Sequence, residues 1–256
     1  MDLATAALLA GAGVFAGLIA TVVGGAAVVV YPAMIAAGVP PQPAVVGNLI
    51  ALLPATLVAA LADYTQLPPL NRAFFSLVAI SIVGAAAGAV LLLVTPPEAF
   101  QKLVPLLLGF ATVLFAYAER IGLWLRMRAE RRGHELTFSV SSLKILLPVS
   151  FYGGYFGAGA GILLLGVFSL ATGGNYRSAN VAKNLVAALN SVAATCIFIS
   201  QDAVLWPQTI ALMLGTTAGG FIGSHVARIL PKHVIHVLVI VAGVALTISF
   251  AWRYWF

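Results

Sequence analysis

The stretch "ANVAKNLVAALN", residues 179 to 190, sets a lysine, Lys183, among valines, leucines and alanines. Read as a helix, it brings Asn180, Lys183, Asn184 and Asn190 to one side at spacings of three, four and seven, with Val181, Leu185, Val186 and Leu189 on the other. An ammonium at the centre of a lipid-embedded segment costs about 2.5 to 3.5 kcal/mol, so such a residue faces protein or a wet cavity and marks a substrate path. The competing reading is a lysine near a helix end that snorkels to the headgroups. Three asparagines beside it favour the cavity. Their NH2 groups donate hydrogen bonds, and donors plus a cation suit an anion.

The other titratable residues narrow the chemistry. Asp2, Asp63, Glu98, Glu119, Glu130, Glu135 and Asp202 are the acidic residues, and none lies in the middle of an apolar run. A carrier of sodium or metal cations would place carboxylates at depth, so the pattern argues against a cation substrate. Asp63, at the end of an apolar run, and His225, within one, are the candidates for accepting or relaying a proton. His225, His233 and His236 gather around Pro231, which would be the only basis for an intramembrane metal-dependent enzyme. Neither Cys nor carboxylate joins them and Pro231 breaks any shared face, so neither a metal site nor a cofactor is expected and the chain is read as no enzyme.

These residues must be held by membrane helices. Of 256 residues, 62% are hydrophobic and 8% charged, and the mean hydropathy is +1.07; a soluble domain carries about a quarter charged residues. The chain reads as an all-α integral membrane protein in contact with the lipid bilayer. Apolar windows fall at roughly 3 to 37, 43 to 62, 73 to 94, 102 to 118, 143 to 172, 178 to 200, 206 to 229 and 233 to 253, which predicts about eight transmembrane helices. The start, "MDLATAALLAGAGVFAG", has no basic region, so the first window is expected to stay in the mature protein. The chain's net charge is +6, and its largest arginine cluster is "ERIGLWLRMRAERRGHEL", with Arg120, Arg126, Arg128, Arg131 and Arg132 together. In a membrane protein this marks a cytoplasmic loop rather than a nucleic-acid partner. Eight simple crossings would then put both termini on the cytoplasmic side too. Cys196 is the single cysteine, expected as a small core residue. A homo-oligomer is compatible with all of this.

The two halves look alike. "AAGVPPQPAVVGNLIALLPA" (36 to 55) aligns with "ATGGNYRSANVAKNLVAALNS" (171 to 191), placing Gly38 on Gly174, Asn48 on Asn184, Ala51 on Ala187 and Pro54 on Asn190. Likewise Gly84, Gly88 and Pro96 meet Gly219, Gly223 and Pro231. The chain thus divides into a first repeat (1–119), a basic linker (120–142) and a second repeat (143–256), and secondary transporters place substrate where such repeats meet. Where the second half has Lys183 the first has Gly47, so the paired helices offer Asn48, Asn184 and one cation. Windows one and five are too long for single spans and are interrupted by "VVGGAA" and "GAGAG". Gly24, Gly25, Gly159 and Gly161 are therefore expected to break helices and expose backbone N–H groups to the anion, whereas Gly84, Gly88, Gly219 and Gly223 fit close helix packing.

The ordered pattern, a glycine-broken first helix, "GVPP…A…GN", "GAAAGAVLLLVTPPEAFQKL", a basic loop, "GAGAGILLL", "NYRSANVAKNLVAALNSVAATCIF" and "GTTAGGFIGSHVARILPKHV", resembles the sulfite exporter TauE/SafE family, the 4-toluene sulfonate uptake permeases. The resemblance implies a bacterial inner-membrane secondary carrier of sulfite, sulfonate, sulfoacetate or thiosulfate, coupled to protons and working by alternating access. A passive anion channel would use the same residues. The family's glycine-rich loops fall on Gly24 and Gly25, and on Gly157, Gly159 and Gly161; its polar pair falls on Gly47 and Asn48, and on Lys183 and Asn184. "VVGGAA" is a shorter glycine run than many members carry. Gly47 stands where Thr is common, and His225 where a small residue or Arg is usual.

Overall fold

In lipid, the backbone N–H and C=O groups of an apolar run can be satisfied only within the chain, and this one does so as helices. The computed structural model describes residues 2–22, 26–61, 64–67, 71–118, 120, 121, 123, 124, 127, 140–172, 175–226 and 232–255. Among them lie α1 (Leu3–Val22), α2 (Ala27–Ala36), α3 (Pro41–Leu61), a single turn at Tyr64–Gln66, α4 (Arg72–Val94), α5 (Pro97–Ala116), α6 (Val140–Tyr155), α7 (Ala160–Ala171), α8 (Tyr176–Ser200), α9 (Trp206–Val226) and α10 (Lys232–Trp255). Local signals fix several starts. The side chains of Asp2, Asn71 and Asn175 accept the backbone N–H of Thr5, Phe74 and Ser178, capping α1, α4 and α8, and Pro97 opens α5.

Among the described residues, five segments are long and apolar enough to cross a membrane: Pro41–Leu61, Arg72–Val94, Pro97–Ala116, Arg177–Ser200 and His236–Trp255. The protein is a multi-pass helical membrane protein. Large apolar side chains such as Phe15, Val58, Phe75, Leu106, Leu214, Phe221, Val241 and Trp252 are exposed on the outside of the bundle, where lipid is an adequate neighbour. The short helices α2 and α7 contribute none to that exposed set and are enclosed. Cys196, expected in the core, is exposed: an apolar run at a bundle edge meets lipid as readily as protein.

Side-chain contacts fix the helix directions. Gln42, at the start of α3, donates to the carbonyls of Leu92 and Thr95 at the end of α4, so these two run antiparallel. Thr209 and Thr216 of α9 approach Gly47 and Ala51 of α3 in the same order, so α3 and α9 are parallel. The tight 201–205 turn, closed by Ala203 N–H to the Phe198 carbonyl, makes α8 antiparallel to α9, and hence to α3. Helix α10 is antiparallel to α5, with Trp255 donating to the Lys102 carbonyl at one end and His236 reaching the Phe115 carbonyl at the other.

Helix α2 ends four residues before the start of α3, through the Gly38 turn (φ 79°). Window one therefore leaves and returns to the same side of the bundle, and window five does likewise. This overturns the sidedness expected from eight simple crossings: the start of α1 and the end of α10 share one face, and the linker leaves α5 at the other. Apolar length alone cannot tell a returning hairpin from a crossing.

Glycines join the halves. A Cβ on Gly13 would lie 2.6 Å from the Leu212 carbonyl and one on Gly17 would meet the Thr216 and Gly219 backbone, while Gly219 presses on Val14. In the same way Gly84 and Gly88 meet the backbone of Leu147, Phe151 and Tyr155, and Gly154 meets Ala85. Thus α1 packs along α9 and α6 along α4, backbone to backbone, as small-xxx-small spacing permits. For Gly84, Gly88 and Gly219 the packing expectation holds.

Candidate functional site

Helix α8 carries the predicted polar residues through the centre of the bundle. Asn184 and Asn190 are buried, and Asn180 and Lys183 are half-buried. Lys183 lies about 10 Å along α8 from its start at Tyr176. Its ammonium has no hydrogen bond or ion pair among the described residues. Asn190 is oriented: the Ser81 hydroxyl on α4 donates to its Oδ1 at 2.9 Å, and Ser81 in turn lies 2.6 Å from the Ser150 hydroxyl on α6. With its oxygen held, the Asn190 amide presents its NH2 as the free end.

The second glycine cluster is a true helix break. Helix α6 stops at Tyr155, Gly157 and Gly159 adopt left-handed backbone (φ 79° and 80°), and α7 starts at Ala160. The Tyr152 hydroxyl closes the turn by donating to the Ala158 carbonyl at 2.6 Å. Gly161, in the first turn of α7, is exposed with open space beside it. The break is clamped against the other half: Gly157 touches Leu49 of α3, and Gly159 touches Ala111 and Leu114 of α5.

Helix α3 answers α8 differently. Asn48 is buried and its Oδ1 has no partner. The space beside Gly47 is filled by the end of Met34 and by the Thr209 hydroxyl, 3.1 Å from where a Cβ would sit. Because α3 and α8 run antiparallel, Asn48 lies about 10 Å in from one face and Asn184 about 12 Å in from the other. The residues predicted as one group fall in two, at different depths.

Gly24, Gly25 and Asp63 lie outside the described residues, as do Arg126, Arg128, Arg131, Arg132 and His134. His225 and Gly223 fall on α9 and His233 on α10, where side chains and surroundings are not described. His236 is a packing residue: its ring lies 5.0 Å from that of Phe115 and its Nε2 is 3.1 Å from the Phe115 carbonyl. Among the described residues no three His, Cys, Asp or Glu side chains are grouped to hold a metal. Sequence reasoning missed Ser81, Ser150, Tyr31 and Thr209. The alignment of Gly84 with Gly219 sets Ser81 on Thr216, a hydroxyl at the same place in both halves, which was the available signal for the first of these.

The whole arrangement, from the first helix to the last, matches one family, Sulfite exporter TauE/SafE, over residues 9–250. The chain belongs to the TauE/SafE family. Among TauE/SafE relatives, a probable membrane transporter protein, ORF9, of Sinorhizobium sp is 30% identical over 91% of this chain and 87% of its own length. One from Haemophilus influenzae is 22% identical over 94% and 92%, and YfcA of Escherichia coli, also a probable membrane transporter protein, is 23% identical over 91% and 84%. No solved structure matches the chain. As a TauE/SafE protein this chain is a membrane transporter.

Proposed function

We propose that this TauE/SafE chain is a secondary active transporter of small sulfur-containing anions, of the sulfite, sulfonate, sulfoacetate or thiosulfate class, across the bacterial inner membrane. The observation that carries the reading is Lys183: an ammonium about two turns inside a membrane helix, half-buried, without a carboxylate partner among the described residues, beside Asn184 and two turns before the oriented NH2 of Asn190. A cation flanked by donors, with no carboxylate against it among the described residues, suits an anionic substrate.

The two halves act as an inverted duplication. Equivalent helices α3 and α8, α4 and α9, and α5 and α10 run in opposite directions, and each half lends its first helix to the other, which supports alternating access by one half moving against the other. With the basic linker cytoplasmic, the start of α1 and the end of α10 face the opposite side. Asp63 and His225 are the residues proposed for proton coupling.

The test is uptake of radiolabelled sulfite and sulfoacetate into proteoliposomes. Lys183→Gln raises KM roughly tenfold or more, the effect of losing a hydrogen-bonded charge to an anion. A protonophore abolishes accumulation. Wild-type kinetics in the Lys183 variant would sink the site assignment, and uptake that neither saturates nor responds to counter-flow would make the protein a channel.

A further inference from the structure

Six residues at the end of α5 fall on one face at spacings of three, four and seven: Val113, Leu114, Tyr117, Arg120, Ile121 and Trp124. The helical course carries on past Ala116, with the Ile121 N–H bonded to the Tyr117 carbonyl at 2.8 Å, so this face is continuous for about three turns. Together these side chains line one groove of about 390 Å³, a size within the ~300–1,000 Å³ of small-molecule sites. Leu114 is buried, and Val113, Tyr117, Arg120 and Trp124 are exposed around it.

The groove changes in character along the helix. Val113 and Leu114 belong to the membrane-crossing segment Pro97–Ala116 and are apolar. Tyr117 and Trp124 follow, of the two residue types that collect where hydrocarbon gives way to headgroups. Between them stands Arg120, about one turn beyond the segment's end, its guanidinium 5.7 Å from the centre of the Tyr117 ring. No carboxylate is among the six lining residues. Residues 119 to 135 hold five arginines against Glu119, Glu130 and Glu135, a net positive stretch. An occupant must therefore be apolar along one part and anionic at the other. A small hydrated oxyanion has nothing to place against Val113, Leu114 and Ile121, and a zwitterionic lipid gains little from Arg120. An anionic phospholipid meets both demands.

We propose that this groove is a binding site for an anionic phospholipid, with an acyl chain along Val113, Leu114 and Ile121 and the phosphate at Arg120, framed by Tyr117 and Trp124. The inference does not depend on the anion-transport reading. Leu114 also lies against Gly159 of the helix break, so the lipid sits behind a residue on which the break packs.

The experiment follows the melting temperature of full-length protein in a maltoside detergent during titration with phosphatidylglycerol, phosphatidylcholine of the same chains, or glycerol phosphate. Wild type is compared with Arg120→Gln, Arg131→Gln and Val113→Trp. Phosphatidylglycerol raises the wild-type melting temperature by about 4 °C or more at saturation, since only the folded form carries the groove. Phosphatidylcholine and glycerol phosphate raise it much less. Arg120→Gln weakens the apparent affinity for phosphatidylglycerol about fivefold, the worth of one arginine beside an anionic lipid, and Arg131→Gln weakens it less. Val113→Trp fills the groove from an exposed position, so it removes the shift and keeps the lipid-free melting temperature. Equal shifts with phosphatidylglycerol and phosphatidylcholine overturn the proposal, because charge is then not read; equal shifts with phosphatidylglycerol and glycerol phosphate overturn it, because the chain is then not held. An equal loss in Arg131→Gln and Arg120→Gln overturns it as well, since the attraction would then be diffuse along the linker. So does a full phosphatidylglycerol shift in Val113→Trp. Should Val113→Trp melt below wild type without lipid, the contrast between Arg120→Gln and Arg131→Gln decides alone.

Discussion

Helices α3 and α8, which the alignment of 36–55 with 171–191 pairs, carry opposite chemistry. At the position before the shared asparagine, α8 has Lys183, whose head has no partner among the described residues, and α3 has Gly47 packed under Met34 and the Thr209 hydroxyl. About two turns further along, α8 has Asn190 taking the Ser81 hydroxyl, whereas α3 has Pro54, and the equivalent hydroxyl, Thr216, donates to the Ala51 carbonyl at 2.8 Å. The α1–α9 and α4–α6 pairs are alike in their close backbone contacts, while the side chains on α3 and α8 differ. At these paired positions only α8 carries a charge.

The framework is the place where both halves should fail alike. Gly88→Leu and Gly219→Leu each drive a side chain into a neighbouring backbone, that of Phe151 in one case and Val14 in the other. Backbone cannot yield as a side-chain tip can, so each costs about 3 kcal/mol or more, beyond the usual range for overpacking. Both variants are expected to be lost from the membrane fraction or to melt far below wild type in detergent. A well-folded Gly219→Leu beside a lost Gly88→Leu would break the equivalence of the α1–α9 and α4–α6 pairs.

The functional positions should respond unequally. Lys183→Ala removes the cation and lowers anion uptake at low substrate by roughly tenfold or more. Gly47→Ala, at the matching place, pushes a methyl against the mobile end of Met34 and against Thr209, for about 1 kcal/mol of stability and a smaller change in uptake. Equal losses of uptake in the two would mean that charge is not what separates the halves.

Ser81→Ala probes the next difference. It strips the partner from the buried Oδ1 of Asn190 and from the Ser150 hydroxyl, at about 1 to 3 kcal/mol, and frees the amide to rotate. The melting temperature falls and the KM for sulfite rises with little change in kcat. Ser81 is a positioning residue, so a melt lowered with KM unmoved would reduce it to a packing role.

Much of this was legible in the sequence, and the limits have physical causes. Composition and the apolar windows gave membrane helices, because lipid demands long runs without charge. Glycine spacing gave close packing and the second break, since only residues without a Cβ serve there. The partners were not legible: Gly13 and Gly17 announce a close contact but not that it is with α9 of the other half. Nor was the return of window one to its own side, as a hairpin and a crossing have the same hydropathy. Asn48 and Lys183 stood out as polar residues in apolar runs, but their separation in depth follows from the antiparallel course of α3 and α8, which spacing within one helix does not contain. Tyr31 and Thr209 were silent for a plainer reason. A lone tyrosine or threonine in a membrane helix is ordinary until its hydroxyl is found buried and unpaired.

The smallest expected effect completes the comparison. Thr216→Val is the second-half counterpart of Ser81→Ala, and it removes the hydroxyl that reaches from α9 to the Ala51 carbonyl. That carbonyl sits within α3 and can keep its helical bond, and Thr216 already shares its hydroxyl with the Met213 carbonyl of its own helix. Nothing buried is stranded as completely as the Asn190 oxygen is by Ser81→Ala. Valine also keeps nearly the same volume. The cost is therefore about 1 kcal/mol or less, read as a small drop in melting temperature with sulfite KM unchanged, because no substrate-facing amide depends on Thr216. If Thr216→Val raised KM as much as Ser81→Ala, the hydroxyl would matter to transport as part of the paired framework, and the division of labour between a supporting α3 and a charged α8 would have to be given up.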